Sequence, residues 1–306
     1  MLSLTGETQA RTDRIVGLGL VNLATLTWAT NTILGRWLRD YVGPLTLAAA
    51  RFSIASLCFA VLLRRRPPEE RRPGADRWGL LGMALCGVVV FAPTFYLGLR
   101  FTTAVNATLL NGLAPLTTGL LAALLAREPM SRQQAAGALL GLIGVAGLIS
   151  GGSPAFWQTL RGNAGDLAVL GAVGVWSLYS VLGRQVMHHR PALSATALST
   201  FLGLPLLLIA ALWEVQVLPP RLGLKPLLAV LYIGLAPTVI GFLSWNAGVR
   251  RLGSSGAMAF YNTLPLYGAL LGYLLLDEPI GPAHLIGGAL IAGGGLWAAR
   301  GARRGK

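Results

Sequence analysis

Charge is what this chain has least of. Only 12% of its 306 residues are Asp, Glu, Lys or Arg, about half the share of a soluble globular domain. Just eleven of them are acidic. Cysteine is nearly absent, and Cys58 and Cys86 both lie inside apolar runs, so no disulfide framework is implied. The three histidines are His188, His189 and His284. The first two share an arginine-flanked loop with no Cys or acidic ligand nearby, and neither a P-loop nor a GxSxG is present. No nucleophile, base and metal-ligand set converges, so the chain is not read as an enzyme, and no metal or cofactor is implied.

What is present is apolar: 54% of residues are hydrophobic, and the mean hydropathy is +0.63. Apolar runs recur from end to end, each long enough to cross a hydrocarbon core ~30 Å thick at ~1.5 Å per residue. Gly, Pro and charge clusters divide them into candidate spans at 15–34, 44–63, 78–98, 104–126, 134–150, 167–183, 195–213, 226–249, 254–276 and 283–299. The expected fold is an all-α polytopic membrane protein with ten transmembrane helices. The first run is longer than a signal-peptide core and no A-x-A-like site follows, so it reads as a spanning helix. The net charge of +14 would suggest nucleic acid in a soluble protein. Here the charges sit in short loops, so the expected partners are the bilayer and a small molecule, with no nucleic acid and a monomer slightly favoured. Placing the amino terminus in the cytoplasm puts eighteen Lys and Arg inside and six outside, which makes both termini cytoplasmic.

The second half restates the first. At an offset of 150, Arg100, Ala107, Pro115, Glu128, Pro129, Gly137 and Gly144 meet Arg250, Ala257, Pro265, Glu278, Pro279, Gly287 and Gly294. Trp28 with Leu34-Gly35-Arg36 is echoed by Trp176 with Leu182-Gly183-Arg184. Five spans per copy is an odd number, so the copies enter the membrane in opposite directions. The expected layout is a tail (1–14), a five-helix repeat (15–150), an outer linker (151–165), an inverted five-helix repeat (166–300) and a basic tail (301–306). Inverted repeats are typical of secondary transporters, in which a midplane site opens to alternate faces.

The patterns TWATNTILGR…P…ARF, A-x7-P…REP and A-x7-P…DEP, in this order and spacing, resemble the EamA-type transporters of the drug/metabolite transporter superfamily over about residues 15–300. The resemblance implies ten helices in two inverted repeats, cytoplasmic ends, a bacterial inner-membrane location and export of small metabolites, often amino acids, including aromatic ones. Half one departs from the family pattern by carrying Trp-Ala-Thr-Asn where many members have Trp-Gly-Ser/Thr.

Four prolines fall inside spans: Pro93, Pro115, Pro237 and Pro265. Each removes a helix hydrogen bond and leaves the carbonyl four residues back without its donor. Amides and inward aromatics near these kinks would suit a polar organic solute. The candidate substrate residues are Trp28, Asn31, Tyr96, Asn111, Trp176, Tyr179, Trp245, Asn246, Tyr261 and Asn262. Trp37, Tyr41, Trp78 and Trp213 read as interfacial anchors. The glycines of the 134–150 and 283–299 spans read as helix-packing positions, and Ser131 to Gln134 as a capping box.

Arg51 is set about seven residues into its span, roughly 10 Å deep. It either meets a substrate carboxylate or binds carbonyls freed at kinks. No acid lies deep in a span, which points to facilitated or exchange transport rather than tight proton coupling. The expected function is export of small organic metabolites, most often amino acids, by alternating access. Export of drugs or nucleobase-like compounds is the alternative, and a channel a weaker one.

Overall fold

A computed structural model describes residues 2–125, 131–153, 163–221, 223–261 and 263–304. The helices are α1 Leu2–Leu38, α2 Pro44–Arg64, α3 Arg77–Met83, α4 Phe91–Phe101, α5 Ala104–Asn111, α6 Ala114–Leu125, α7 Arg132–Ile149, α8 Ala164–Met187, α9 Ala192–Val217, α10 Leu224–Leu235, α11 Gly241–Tyr261, α12 Thr263–Leu276 and α13 Pro282–Arg304. There is no strand among the described residues. π-helical turns at Ala84–Val90 and Ala236–Ile240 join α3 to α4 and α10 to α11. Among the described residues, seven runs are long and apolar enough to cross a membrane: Pro44–Arg64, Arg77–Phe101, Ala104–Leu125, Arg132–Ile149, Ala164–Met187, Ala192–Val217 and Leu224–Leu252. The chain is a polytopic α-helical membrane protein.

Local chemistry accounts for several boundaries. α2 starts at Pro44, where a missing N–H costs nothing. α7 starts on the expected capping box, with Gln134 N donating to Ser131 Oγ at 3.2 Å and Ser131 N to Gln134 Oε1 at 2.8 Å. α5 starts at Thr103, whose hydroxyl accepts from Asn106 N at 3.1 Å. One expected boundary is absent. The loop anticipated between 249 and 254 is helical, because α11 runs unbroken from Gly241 to Tyr261. At the repeat offset Gly253 stands where Thr103 caps the first copy, so no side-chain cap interrupts the ladder there, and no proline follows until Pro265.

In lipid, apolar surface gains little by leaving its solvent, so helices associate through close packing of small residues. α7 and α13 show this directly. A Cβ added at Gly144 would lie 2.6 Å from the Gly287 carbonyl oxygen, and one at Gly137 2.4 Å from that of Gly294. These contacts run in opposite order along the two helices, so the pair is antiparallel. α5 and α12 pair the same way, Gly268 lying against Thr108 and Gly112 against Pro265. α1 packs on α11 through Gly17 and Gly248, and α4 on α8 through Gly98 and Gly165. Trp78 and Trp213 are 71% and 67% exposed, as interfacial anchors are, whereas Trp37 and Tyr41 pack together at 4.8 Å.

The loop before α3 is fastened to the start of α9. Arg190 forks onto Asp76 at 2.6 and 3.0 Å and also donates to the carbonyls of Glu70 and Arg72 and to Ser194 Oγ. The Arg190 hydrogen bonds hold the Asp76 carboxyl below its ordinary range, against the opposing effect of burial.

Candidate functional site

Proline chemistry at the second π turn sets up the centre of the bundle. Pro237 has no N–H to give the Ile233 carbonyl four residues back, and Thr238 Oγ1 donates to that oxygen instead at 2.8 Å. The same hydroxyl accepts from Arg51 Nε of α2 at 3.1 Å. Arg51 Nη1 donates to the Tyr96 hydroxyl of α4 at 2.9 Å, and Tyr96 donates on to Asn31 Oδ1 of α1 at 2.8 Å. Trp28 Nε1 donates to the Pro237 carbonyl at 3.1 Å. A continuous hydrogen-bonded line thus joins α1, α4, α2 and the π turn, with Arg51 in its middle. The guanidinium also stands 4.9 Å from the Phe52 ring centroid and 5.8 Å from that of Tyr96.

Both readings of Arg51 keep a physical basis. Through Thr238 it serves a carbonyl freed by a proline, as a scaffold residue would. Its charge, however, meets only neutral partners, and it forms no ion pair among the described residues.

Two aromatic groups flank the line. Trp28, Trp245 and Tyr261 stand 5.4, 6.0 and 5.7 Å apart, centroid to centroid. On the other side Tyr179 stacks on Trp176 at 5.0 Å, and Trp176 meets Phe91 at 4.9 Å. Phe91 continues to Phe95, which reaches Tyr96 at 6.2 Å. Tyr179 lies over Gly87, where a Cβ would come within 2.6 Å of its ring.

Of the candidate residues, Trp28, Asn31, Tyr96, Trp176, Tyr179, Trp245 and Tyr261 are therefore brought into one connected region with Arg51. Asn246 is not, since its Nδ2 donates to the Phe242 carbonyl of its own helix at 2.9 Å. Asn111 ends α5 and makes no side-chain hydrogen bond among the described residues. Asn262 and Glu128 lie outside the described residues. Pro115 and Pro93 fall beside the α5–α6 break and the first π turn, while Pro265 packs against Gly112. Two grooves, of about 420 and 190 Å³, are lined by other residues: one by Ile33, Trp37, Lys225, Leu228 and Leu275 among others, one by Pro73, Arg77, Trp78, Leu81 and Leu202. Within the central region Tyr96, Tyr261 and Asn31 are buried, at 2%, 6% and 8% exposed, whereas Trp28, Arg51, Trp176, Tyr179 and Trp245 are half-buried. Phe91 and Phe95 were within reach of sequence reasoning, four apart on either side of Pro93.

Three acids gather at one end. Glu214 Oε1 accepts from Leu45 N at 3.1 Å and Oε2 from Thr46 N at 2.7 Å. Glu278 takes Ala104 N and Val105 N, both at 2.9 Å, and pairs with Arg36 at 3.7 Å. Asp166 accepts from the Thr102 hydroxyl and, at 3.3 Å on both oxygens, from Asn106 Nδ2.

Helices of this length and number, with an arginine and seven polar or aromatic side chains turned inward, define a multi-pass membrane protein with a polar interior. The family model of the EamA-like transporter family matches twice, at residues 15–150 and 163–299. The chain belongs to that family; it is a transporter and not an enzyme. Among curated relatives, the uncharacterized transporter YyaM of Bacillus subtilis is 29% identical over 290 residues, spanning 93% of this chain and 92% of that one. A probable terminal-alkyne amino-acid exporter of Streptantibioticus cattleyicolor is 29% identical over 281 residues, 89% of each chain. A protein of known crystal structure aligns with a TM-score of 0.63 at 25% identity, covering 96% of this chain and 99% of that one.

Proposed function

We propose that this transporter exports amino acids or close relatives across the bacterial inner membrane by alternating access. The observation that carries the proposal is Arg51: a part-buried guanidinium held by Thr238 and Tyr96, with no carboxylate partner among the described residues and with aromatic groups on both sides. A guanidinium accepts a carboxylate through paired N–H groups, and the Trp28–Trp245–Tyr261 group offers apolar faces to a side chain. The name of the Streptantibioticus relative, a probable amino-acid exporter, agrees with this chemistry.

The proposal includes ten crossings, with α1, α12 and α13 added to the seven long apolar runs, and both termini in the cytoplasm as the Lys and Arg distribution favours. It includes two inverted repeats at 15–150 and 166–300. The antiparallel contact of α7 with α13, which are matching elements of the two copies, supports the inversion. The carrier acts as a monomer. Facilitated exchange needs nothing more than this.

Proteoliposomes loaded with a panel of labelled amino acids test the reading. Saturable efflux and counterflow of at least one member is the expected result. Transport of nucleobase-like compounds or drugs with no amino acid moved would replace the substrate class, and flux without saturation or counterflow would indicate a channel.

A further inference from the structure

A strongly basic surface remains without a task. Residues 64–77 read RRRPPEERRPGADR, six arginines against three acids. A bias of arginine toward one face of a membrane needs only the charge, but this segment also has a fixed shape. Arg71 donates to the carbonyls of Arg64 and Arg66, both at 2.6 Å. Arg190 ties the segment to the start of α9 and takes Asp76 as its partner. Arg77, next to Asp76 in the chain, is therefore left over. Its guanidinium is exposed and makes neither a hydrogen bond nor an ion pair among the described residues. It stands 5.6 Å from the centroid of the Trp78 ring. Glu69 and Glu70 pair with no cation among the described residues, and neither borders the groove beside Arg77.

That groove is a parting in the seam between α3 and α9. The seam is held at one end by the fork of Arg190 on Asp76. Further along it closes tightly at the first π turn: a Cβ at Gly203 would lie 2.9 Å from Val88 Cβ and 3.1 Å from the Ala84 carbonyl oxygen. Between these two contacts lie Pro73, Arg77, Trp78, Leu81 and Leu202, around about 190 Å³ of open space. Trp78 and Leu202 are exposed. The walls are apolar apart from Arg77.

A ligand matched to this place has an anionic head and a hydrocarbon tail. A free phosphate would leave the apolar walls unused. A second copy of the chain, docked face to face, would set two basic segments against each other. Basic pockets between transmembrane helices take anionic lipid head groups, and a tryptophan at a helix end lies at the level of those heads.

We propose that the groove between α3 and α9 binds one anionic phospholipid, its phosphate on Arg77 and an acyl chain along Trp78, Leu81 and Leu202. The other exposed arginines of the segment, Arg64, Arg65, Arg66 and Arg72 among them, draw anionic lipid toward the site without lining it. The groove shares no residue with the Arg51 region, so the site stands whatever solute the transporter carries.

The test uses the full chain in a neutral detergent. Dioleoyl phosphatidylglycerol and dioleoyl phosphatidylcholine are added in turn, and bound lipid is counted by native mass spectrometry. Wild type is expected to bind phosphatidylglycerol at least about fivefold more tightly, the factor that one arginine near an anionic head supplies. Arg77→Gln removes that preference. Leu202→Trp, which fills the groove and keeps every charge, weakens both lipids. Arg66→Gln removes an equal charge outside the groove and leaves the preference in place. Inorganic phosphate does not displace the lipid. Equal binding of both lipids to wild type, equal losses in Arg77→Gln and Arg66→Gln, or displacement by phosphate overturns the proposal. A second measurement needs no arginine variant. Phosphatidylglycerol brominated on its chains is expected to quench a share of the tryptophan emission that is missing in Trp78→Phe. Equal quenching of the two proteins overturns the site.

Discussion

The Glu278 carboxylate receives the backbone N–H groups of Ala104 and Val105, one on each oxygen and both at 2.9 Å, from 174 and 173 residues away in the chain. The acid from the second half thereby caps a helix of the first. Helix N-termini carry unpaired donors and a partial positive charge, so a buried carboxylate there is stabilised on both counts. Replacing Glu278 with Ala leaves both donors and Arg36 without this partner. The expected loss is about 1–3 kcal/mol, read as a lower unfolding temperature in detergent. Glu278→Gln, which keeps one acceptor oxygen, should fall between the two.

Arg51 can be tested against its own hydrogen bonds. Arg51→Lys keeps the charge but cannot hold Thr238, Tyr96 and a carboxylate at once. Substrate binding is expected to weaken at least about tenfold, or ~1.4 kcal/mol, with folded yield little changed. Thr238→Val should show the opposite balance: the Ile233 carbonyl loses its donor, stability drops by about 1–3 kcal/mol, and the residual binding change is smaller. Ligand titration by tryptophan fluorescence and thermal unfolding separate the two effects.

Glycines on one helix face make contrasting predictions. Gly144→Ala puts a methyl 2.6 Å from the Gly287 carbonyl oxygen, a backbone atom that cannot step aside. A loss of about 1–3 kcal/mol is expected. Gly147→Ala, three residues further on, meets nothing within 4 Å and should be neutral or stabilising by up to ~1 kcal/mol from helix propensity. Unfolding temperatures of the pair check the α7–α13 contact.

Asp76 gives a pH dependence. Its carboxyl is held below its ordinary value of 3.8, chiefly by hydrogen bonds from Arg190. The folded form thus binds this proton less readily than the unfolded form, so the stabilisation is fully present above the ordinary value. It is lost as pH falls through the lowered one. Asp76→Asn should flatten the acid limb of the stability curve and leave its slope near neutrality unchanged.

Much of the fold was legible in the residues because lipid imposes one rule: a backbone inside it must satisfy its own hydrogen bonds, and apolar runs must be helices. The runs, the capping box at Ser131 and the close-packed glycines of α7 and α13 all follow from local composition. The unbroken helix through 250–253 did not, since charge there suggested a loop while no cap or proline enforces one. Among the candidate site residues, the aromatics near kinks were chosen from depth and residue type. That the Asn246 amide donates to its own helix was not legible, since spacing says nothing about which acceptor an amide takes.

Composition and periodicity alone were enough to make this chain a many-helix membrane protein, because burial in hydrocarbon depends on residue type and run length. They could not say that Arg51 would meet Tyr96 and Thr238, that Glu278 would cap Ala104, or that Asp166 would be sealed against Thr102 and Asn106. Those partners lie 45 to 187 residues apart. Only the packing of whole helices brings them within hydrogen-bond distance.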